Sequence, residues 1–459
     1  MMMNKFLLLF YINVIICGTL FSPNIQAIQQ AVTKTNSNMT KQTTKKTPLT
    51  LSEQASPGVS SNPAAVNENT GTGAAQKYIE KNLGIVNDHG IRVGGAWLGD
   101  VNDLFSGGIP NPQRWTGNSL FLLDLSVDTA KTSGWNSGML DVQFLQFNGQ
   151  NTNAQAGSIQ GYNSLPGPPP LNRSELYELW YKNELLKKKL IFRVGKVVPT
   201  YDFGNVMRPV PVDRDSLSIP TVTNLIYTPI FVNSTMLGVM PGYYNSAYGL
   251  TLNLLPTKNT YFSFGVYDGS QAQGIQTGIR PWPVFAGSEF FIGETGLAWL
   301  SGKNNFPGNF GIGTWRQQGL IQGSPTLSEH NASGAYLFGA QRVWYKNPNV
   351  TSDGISIFYQ FGFNDSTALP MKKYLGGGFT GFGLIPNRSN DTLGMGATVS
   401  WLNPNSFNRS SELILQAYYQ AMVVSGIYLE PALSYIPTPG ASKTLDAAWA
   451  GTLRAIILF

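Results

Sequence analysis

From residue 90 onward the chain repeats one pattern, in which apolar side chains alternate with polar or small ones. Leu123, Leu125 and Val127 interleave with Asp124, Ser126 and Asp128. Phe262, Phe264 and Val266 alternate with Tyr261, Ser263, Gly265 and Tyr267. Leu393, Met395, Ala397, Val399 and Trp401 alternate with Gly394, Gly396, Thr398 and Ser400. Leu413, Leu415, Ala417 and Tyr419 do so with Glu412, Ile414, Gln416, Tyr418 and Gln420. Successive side chains of a strand point to opposite faces, so each run predicts a strand with one apolar face. The last run is the clearest. Phe459, Ile457, Ala455, Leu453, Gly451 and Trp449 form an apolar face closed by an aromatic at each end, while Arg454 and Thr452 lie on the other. About ten residues with lipid on one side, water on the other and aromatics at both interfaces describe a membrane-spanning strand.

The same reading predicts strands at 90–98, 119–128, 138–147, 175–184, 189–197, 246–254, 260–267 and 289–300. It continues with 308–316, 334–345, 354–363, 373–384, 391–401, 411–420, 427–436 and 447–459. The connections after odd strands are mostly long, as at 99–118, 148–174, 198–245, 268–288 and 317–333. Those after even strands are short, as at 185–188, 255–259 and 385–390. The expected fold is therefore all-β: a closed, 16-stranded, antiparallel transmembrane β-barrel with long extracellular loops and short periplasmic turns. Closure removes the unpaired edges that lipid cannot satisfy. A barrel this wide is not filled by its wall side chains and leaves an aqueous channel. A secreted soluble all-β protein would also alternate, so the pattern alone does not separate inside from outside.

Composition fits many short strands joined by tight turns: 50 Gly, 12% aromatic and only 12% charged residues among 459. The net charge of +6 is small for this length, and no basic run is interleaved with aromatics, so nucleic acid is not an expected partner. Residues 1–27 read as a signal peptide, with an apolar stretch from Phe6 to Ile16 and cleavage after Ala27. Cys17, the single cysteine, raises a lipoprotein alternative, but Ile16 stands where a small residue is wanted. Residues 28–75 are rich in Thr, Ser, Asn, Gln and Pro and are expected to be disordered. Residues 76–89 are expected to form a short periplasmic helical lead-in, and 90–459 the barrel domain.

Candidate pore residues follow from parity. Arg193, Glu412 and Arg454 share the polar faces of their strands and are expected on the inner wall. A guanidinium offers five donors and a carboxylate offers acceptors, a combination suited to hydroxyl groups. Lys196 falls on apolar parity and is expected to snorkel or to mark a bulge. The 198–245 loop holds six prolines with Asp202, Arg208, Asp213, Arg214 and Asp215, and is expected to fold stiffly into the lumen and narrow it. With Arg208 and Arg214 added, the substrate-binding set carries four basic and four acidic side chains, a mixed ring rather than an anion filter. His89 and His330 stand far apart, no His/Cys cluster has metal-ligand spacing, and neither an enzyme nor a cofactor site is expected.

Several stretches resemble the carbohydrate-selective outer-membrane porins of the OprB type. Arg193-Val194-Gly195-Lys196 looks like that family's fifth strand. The run from Gly383 through Pro386-Asn387-Arg388 to Gly394 is similar to its late periplasmic turn. Tyr418-Tyr419-Gln420 and Leu429-Glu430-Pro431 look like its penultimate hairpin, and the terminal Phe459 is a familiar ending of outer-membrane barrels. The resemblance covers roughly residues 83–459 and departs at residues 28–75, in the third loop, and at the tail, where Arg454-Ala455-Ile456-Ile457-Leu458 is more apolar than usual. It implies an outer-membrane channel for facilitated diffusion of neutral sugars. The implied partners are monosaccharides or small oligosaccharides, outer-membrane lipid and lipopolysaccharide, and the barrel-assembly machinery. A non-selective general porin or a barrel adhesin is the alternative.

Overall fold

A computed structural model describes residues 90–135, 138–166, 171–206, 222–241, 246–272, 285, 288–324, 327–346, 353–424 and 426–459. The expected signal peptide, polar segment and helical lead-in lie outside the described residues, as do Arg208 and Arg214.

The strands are β1 (Ile91–Ser106), β2 (Trp115–Asp128), β3 (Gly138–Asn148), β4 (Asn172–Leu185), β5 (Leu190–Val197) and β6 (Ala247–Leu254). They continue with β7 (Thr260–Asp268), β8 (Glu289–Ser301), β9 (Phe306–Ser324), β10 (Leu327–Tyr345) and β11 (Gly354–Asn364). The last five are β12 (Met371–Phe382), β13 (Thr392–Leu402), β14 (Ser411–Val424), β15 (Ile427–Ile436) and β16 (Ala448–Leu458). Each pairs antiparallel with its chain neighbours, and β1 pairs with β16, so the sheet closes into a barrel of 16 strands. Two short helices, α1 (Thr129–Ser133) and α2 (Thr152–Gln155), sit in connections, the first capped by the Asp128 carboxylate.

Burial assigns the faces that alternation left open. On β16, Trp449 and Leu453 are exposed on the outside, while Ala450, Thr452 and Arg454 are buried toward the inside. On β13, Met395 and Trp401 face out and Thr398 and Ser400 face in. On these strands the apolar face is thus the outer one, the reverse of a soluble sandwich and the arrangement that lipid demands. Aromatic pairs stack on this surface, among them Tyr435 with Trp449 at 4.3 Å and Phe121 with Phe459 at 5.8 Å between centroids.

Two connections expected to be long loops are shorter. β1 runs on to Ser106 and β2 begins at Trp115. β9 and β10, at 19 residues each, carry most of the expected 317–333 loop as paired strand. The β9–β10 extension is mostly polar and lacks the apolar alternation of the lipid-facing part, yet its backbone groups still pair across the ladder. On β1 the added residues Val101 and Phe105 are apolar and face outward, Val101 opposite Leu453. At the other end the turns remain short.

Two local irregularities shape the wall near β5. The ladder between β3 and β4 slips between Gln143 and Phe144, which turns both Tyr177 and Glu178 inward. Beside it Gly195 holds φ +139, and a Cβ there would lie 2.2 Å from the Leu179 carbonyl oxygen. Lys196 stands on outward parity, but its ammonium is buried and donates to the Leu176 carbonyl at 2.7 Å, next to that bulge.

Candidate functional site

The lumen is crossed by two in-folded loops. The connection from β5 to β6 leaves one side of the ring and reaches β13 and β14 on the opposite side. There the Asn224 amide donates to the Thr392 hydroxyl at 2.7 Å, and the backbone N–H groups of Ile226 and Tyr227 donate to Gln416 Oε1 at 2.7 and 3.2 Å. Farther along, Asn364 donates to the Thr235 carbonyl at 2.7 Å and Asn233 to the Phe361 carbonyl at 3.0 Å. The described part of this loop is strongly apolar. Val222, Ile226, Ile230, Phe231 and Met236 are buried against wall residues such as Tyr336, Phe338, Phe358 and Tyr418. A wall that is apolar within the lumen is therefore covered by a loop that is apolar too, which removes both surfaces from water.

The second loop joins β3 to β4 and was not anticipated as a lumen element. Its residues 158–163 reach β14, β13, β1 and β16. The two loops then bond to each other: Ser164 N–H donates to the Ile226 carbonyl at 2.7 Å and Thr228 N–H to the Gly161 carbonyl at 3.0 Å. The result is a backbone-paired bridge across the barrel.

Wall carboxylates hold this bridge. Glu412 accepts from the Ser158 hydroxyl at 2.8 Å and from the N–H groups of Ile159, Gln160 and Gly440 at 2.7, 3.0 and 2.7 Å. Glu294 accepts from Gly204 N–H at 2.7 Å and from the hydroxyls of Tyr261 and Tyr336 at 2.5 and 2.8 Å. Glu178 accepts from Val198 N–H at 2.9 Å, at the point where the longer loop leaves β5. A carboxylate has four lone-pair sites and no donor, so a cluster of orphan loop N–H groups satisfies it without a cation.

The expected pore residues now have positions. Glu412 faces inward and is fully buried under the loop it grips. Arg454 also faces inward, and its guanidinium makes a bidentate pair with Asp100, Nε–Oδ1 and Nη2–Oδ2 both 2.8 Å, and donates to Asn163 Oδ1 at 3.0 Å. Both members of that pair are almost wholly buried. Arg193 differs. It pairs with Asp202 at the foot of the longer loop, and their side chains keep 14% and 15% exposure. Its guanidinium lies 5.2 Å from the Trp180 ring centroid. Thr251 donates to Asp202 at 3.3 Å and bonds the Tyr267 hydroxyl at 2.5 Å. Glu178 and Asp141 also act electrostatically on Arg193. The structure thus brings Arg193, Asp202 and Trp180 together and leaves Glu412 and Arg454 each in a separate contact. Tyr261, Tyr267 and Tyr418 also lie on the inner wall, with their hydroxyls on Glu294, Thr251 and Thr380. Sequence reasoning missed Trp180, Glu178 and Glu294. Glu294 shares its inward face with the apolar Phe290 and Ile292, which hid it from a reading that assigned polar parity to the lumen, and the bulge at Tyr177 breaks parity for the other two.

A sequence profile described as the carbohydrate-selective porin, OprB family, matches residues 119–459. This chain belongs to that family. Among curated protein sequences none matches significantly. The high-pH structure of Pseudomonas putida OprB superposes with a TM-score of 0.71 at 16% identity, over 83% of this chain and 97% of that one. The low-pH structure of the same protein gives 0.53 at 14% identity, over 84% and 98%. At these identities the likeness is one of fold. An OprB-family barrel with an apolar outer band is an outer-membrane protein.

Proposed function

We propose that this OprB-family chain is a channel through which neutral monosaccharides or small oligosaccharides cross the outer membrane by facilitated diffusion, and that it catalyses no reaction. The observation that carries this is the water-accessible cluster of Arg193, Asp202 and Trp180 beside the loop bridge. It offers a donor fork, an acceptor and an aromatic ring together, which suits a polyol better than a simple ion. Arg208 and Arg214, carried by the same loop, are proposed to add donors to this zone. Glu412 and Arg454 act at one remove, by fixing the loops that shape it. The outward apolar band supports lipid as the surrounding medium, with lipopolysaccharide at the loop end and insertion by the barrel-assembly machinery.

Liposome swelling with sugars, amino acids and salts of matched size tests the reading. Sugars are expected to enter faster and to block ion current in planar bilayers. Arg193→Ala is expected to weaken that block about three- to tenfold, the loss of one charge-assisted bond in a wet site. Equal rates for sugars and amino acids would leave a general porin. Block unchanged in Arg193→Ala would remove this cluster from the substrate path.

A further inference from the structure

The short-turn end of the barrel carries a one-sided charge pattern. Its turns expose Lys131, Lys188, Lys258, Lys303, Lys346 and Arg388, so that each connection from β2–β3 round to β12–β13 has a basic side chain in solvent. Lys187 and Lys189 flank Lys188, and Arg92 at the start of β1 is exposed at the same end. The acidic side chains of this rim are drawn inward among the described residues. Asp128 caps α1, Asp391 is buried on Arg388 and Tyr419, Asp353 is half-buried, and Glu184, also half-buried, pairs with Lys182 and Lys188 while Lys187 and Lys189 stay exposed beside them. The loop end is different, with exposed Arg114, Arg316, Lys373 and Lys443 accompanied by exposed Asp365 and Asp446.

Two further features bear on the partner. Each basic residue stands a few positions from an exposed apolar one on the lipid-facing side. Leu186 precedes Lys187, Leu254 precedes Lys258, Leu300 precedes Lys303, Trp344 precedes Lys346 and Ile385 precedes Arg388. The β4–β5 turn also holds Leu186, Lys187 and Lys188 at φ 52, 57 and 67, three successive left-handed residues without a glycine. Such backbone is disfavoured for ordinary side chains. Here it sets three lysines at the tip of one tight turn.

We infer that this rim is a docking surface for anionic phospholipid headgroups of the inner leaflet, which the short turns of an outer-membrane barrel face. An apolar side chain in the acyl region with a cation immediately beyond it places the positive charge at phosphate level, where basic residues near a membrane surface are attracted. A wall polymer would lie farther from the apolar flank. The inference is independent of what the lumen transports.

The test uses the full chain, purified and exchanged into detergent with phosphatidylglycerol or phosphatidylcholine, with retained lipids counted by native mass spectrometry. Retention of phosphatidylglycerol is expected to exceed that of phosphatidylcholine about threefold or more at low salt, and to approach parity at about 0.5 M salt, where screening is short-ranged. A variant with Lys187→Gln, Lys188→Gln, Lys189→Gln, Lys258→Gln and Lys303→Gln is expected to lose the preference while keeping heat-modifiable migration. If that variant does not fold, the salt dependence of the parent decides alone. Equal retention of the two lipids at low salt overturns the inference, as does a preference that survives high salt or persists in the folded variant. Equal retention together with binding to peptidoglycan fragments assigns the rim to the wall polymer instead.

Discussion

Replacing Arg454 with Ala tests how the barrel closes. β1 and β16 are the strands whose pairing converts a sheet into a barrel, and Asp100 and Arg454 stand directly opposite each other in that ladder. On its other side Arg454 is in register with Glu430 on β15. The side chains of Arg454 and Asp100 are 2% and 0% exposed, so neither is solvated if its partner goes. Arg454→Ala would strand Asp100 and Glu430 as two buried carboxylates with no cation between them, and would remove one of the donors to Asn163 Oδ1. Breaking a buried ion pair from one side costs about 3–5 kcal/mol. At about 1.4 kcal/mol per tenfold, the folding equilibrium should shift by two to three and a half orders of magnitude. Urea unfolding in lipid vesicles, followed by heat-modifiable migration, measures this. Arg193→Ala is the comparison, because the Arg193–Asp202 pair is less deeply buried and should cost less to break than the wholly buried Arg454–Asp100 pair. The double variant Asp100→Leu with Arg454→Met should recover most of the loss, since well-packed apolar replacements of buried pairs are close to neutral. The reasoning fails if Arg454→Ala costs less than about 1 kcal/mol, or no more than Arg193→Ala.

Three further outcomes are expected. Glu412→Ala leaves the Ser158 hydroxyl and three loop N–H groups without their acceptor, so it should cost about 2 kcal/mol or more, open residues 149–166 to protease and raise single-channel conductance; conductance and cleavage at parental levels would count against the loop anchor. Gly195→Ala forces a Cβ against the Leu179 carbonyl in a φ range that non-glycine residues avoid, and should destabilise the barrel by about 1–3 kcal/mol in the same urea assay. At the tip of the β9–β10 hairpin, partial burial raises the Glu329 pKa, but donors from Ser366, Thr367 and Ala368 outweigh it and hold the carboxyl below its ordinary 4.5. That contribution is fully present above the unfolded value and disappears as pH falls through the depressed one, so amide exchange in 365–370 should accelerate only in acid below about 4.5; acceleration already at neutral pH would refute it.

The sixteen expected strands each overlap an observed one because lipid and lumen impose different chemistry on alternate residues, which is a strictly local signal. On β9 the misplaced boundary falls where that difference ends, because residues 317–324 are mostly polar and continue the strand as paired backbone. On β1 the alternation itself continues, with Val101 and Phe105 facing outward and Val101 opposite Leu453. The inward position of Arg454 was legible for the same reason as the strands. Its partner was not, because Asp100 meets it through the closure register between chain ends. Glu412 is a like case: parity put it on the inner wall, while the Ile159 and Gln160 donors come from a loop more than 250 residues earlier. The prolines of the 198–245 loop drew attention to that segment, and its described residues do cross the lumen. Nothing comparable marks 158–163, whose contribution is mainly backbone N–H and small polar groups.

The inner wall divides its charged residues between two tasks, and solvent exposure separates them. Glu178, Glu294 and Glu412 are buried and accept from loop backbone, so each fixes a main-chain position rather than a side chain. A bridge held this way loses little rigidity when loop side chains change, because the donors belong to the peptide groups themselves. The Arg454–Asp100 pair does the same for the seam, and through Asn163 it ties the seam to the shorter loop. With these groups committed, Arg193 and Asp202 are, among the described residues, charges at the foot of the bridge that still meet water, against the Trp180 ring. Selectivity should therefore respond directly to changes in that cluster. It should respond to Glu412 or Arg454 only through displacement of the loops. Kinetics of sugar block can tell the two apart: a direct contact alters block at unchanged open-channel conductance, whereas a displaced loop changes both.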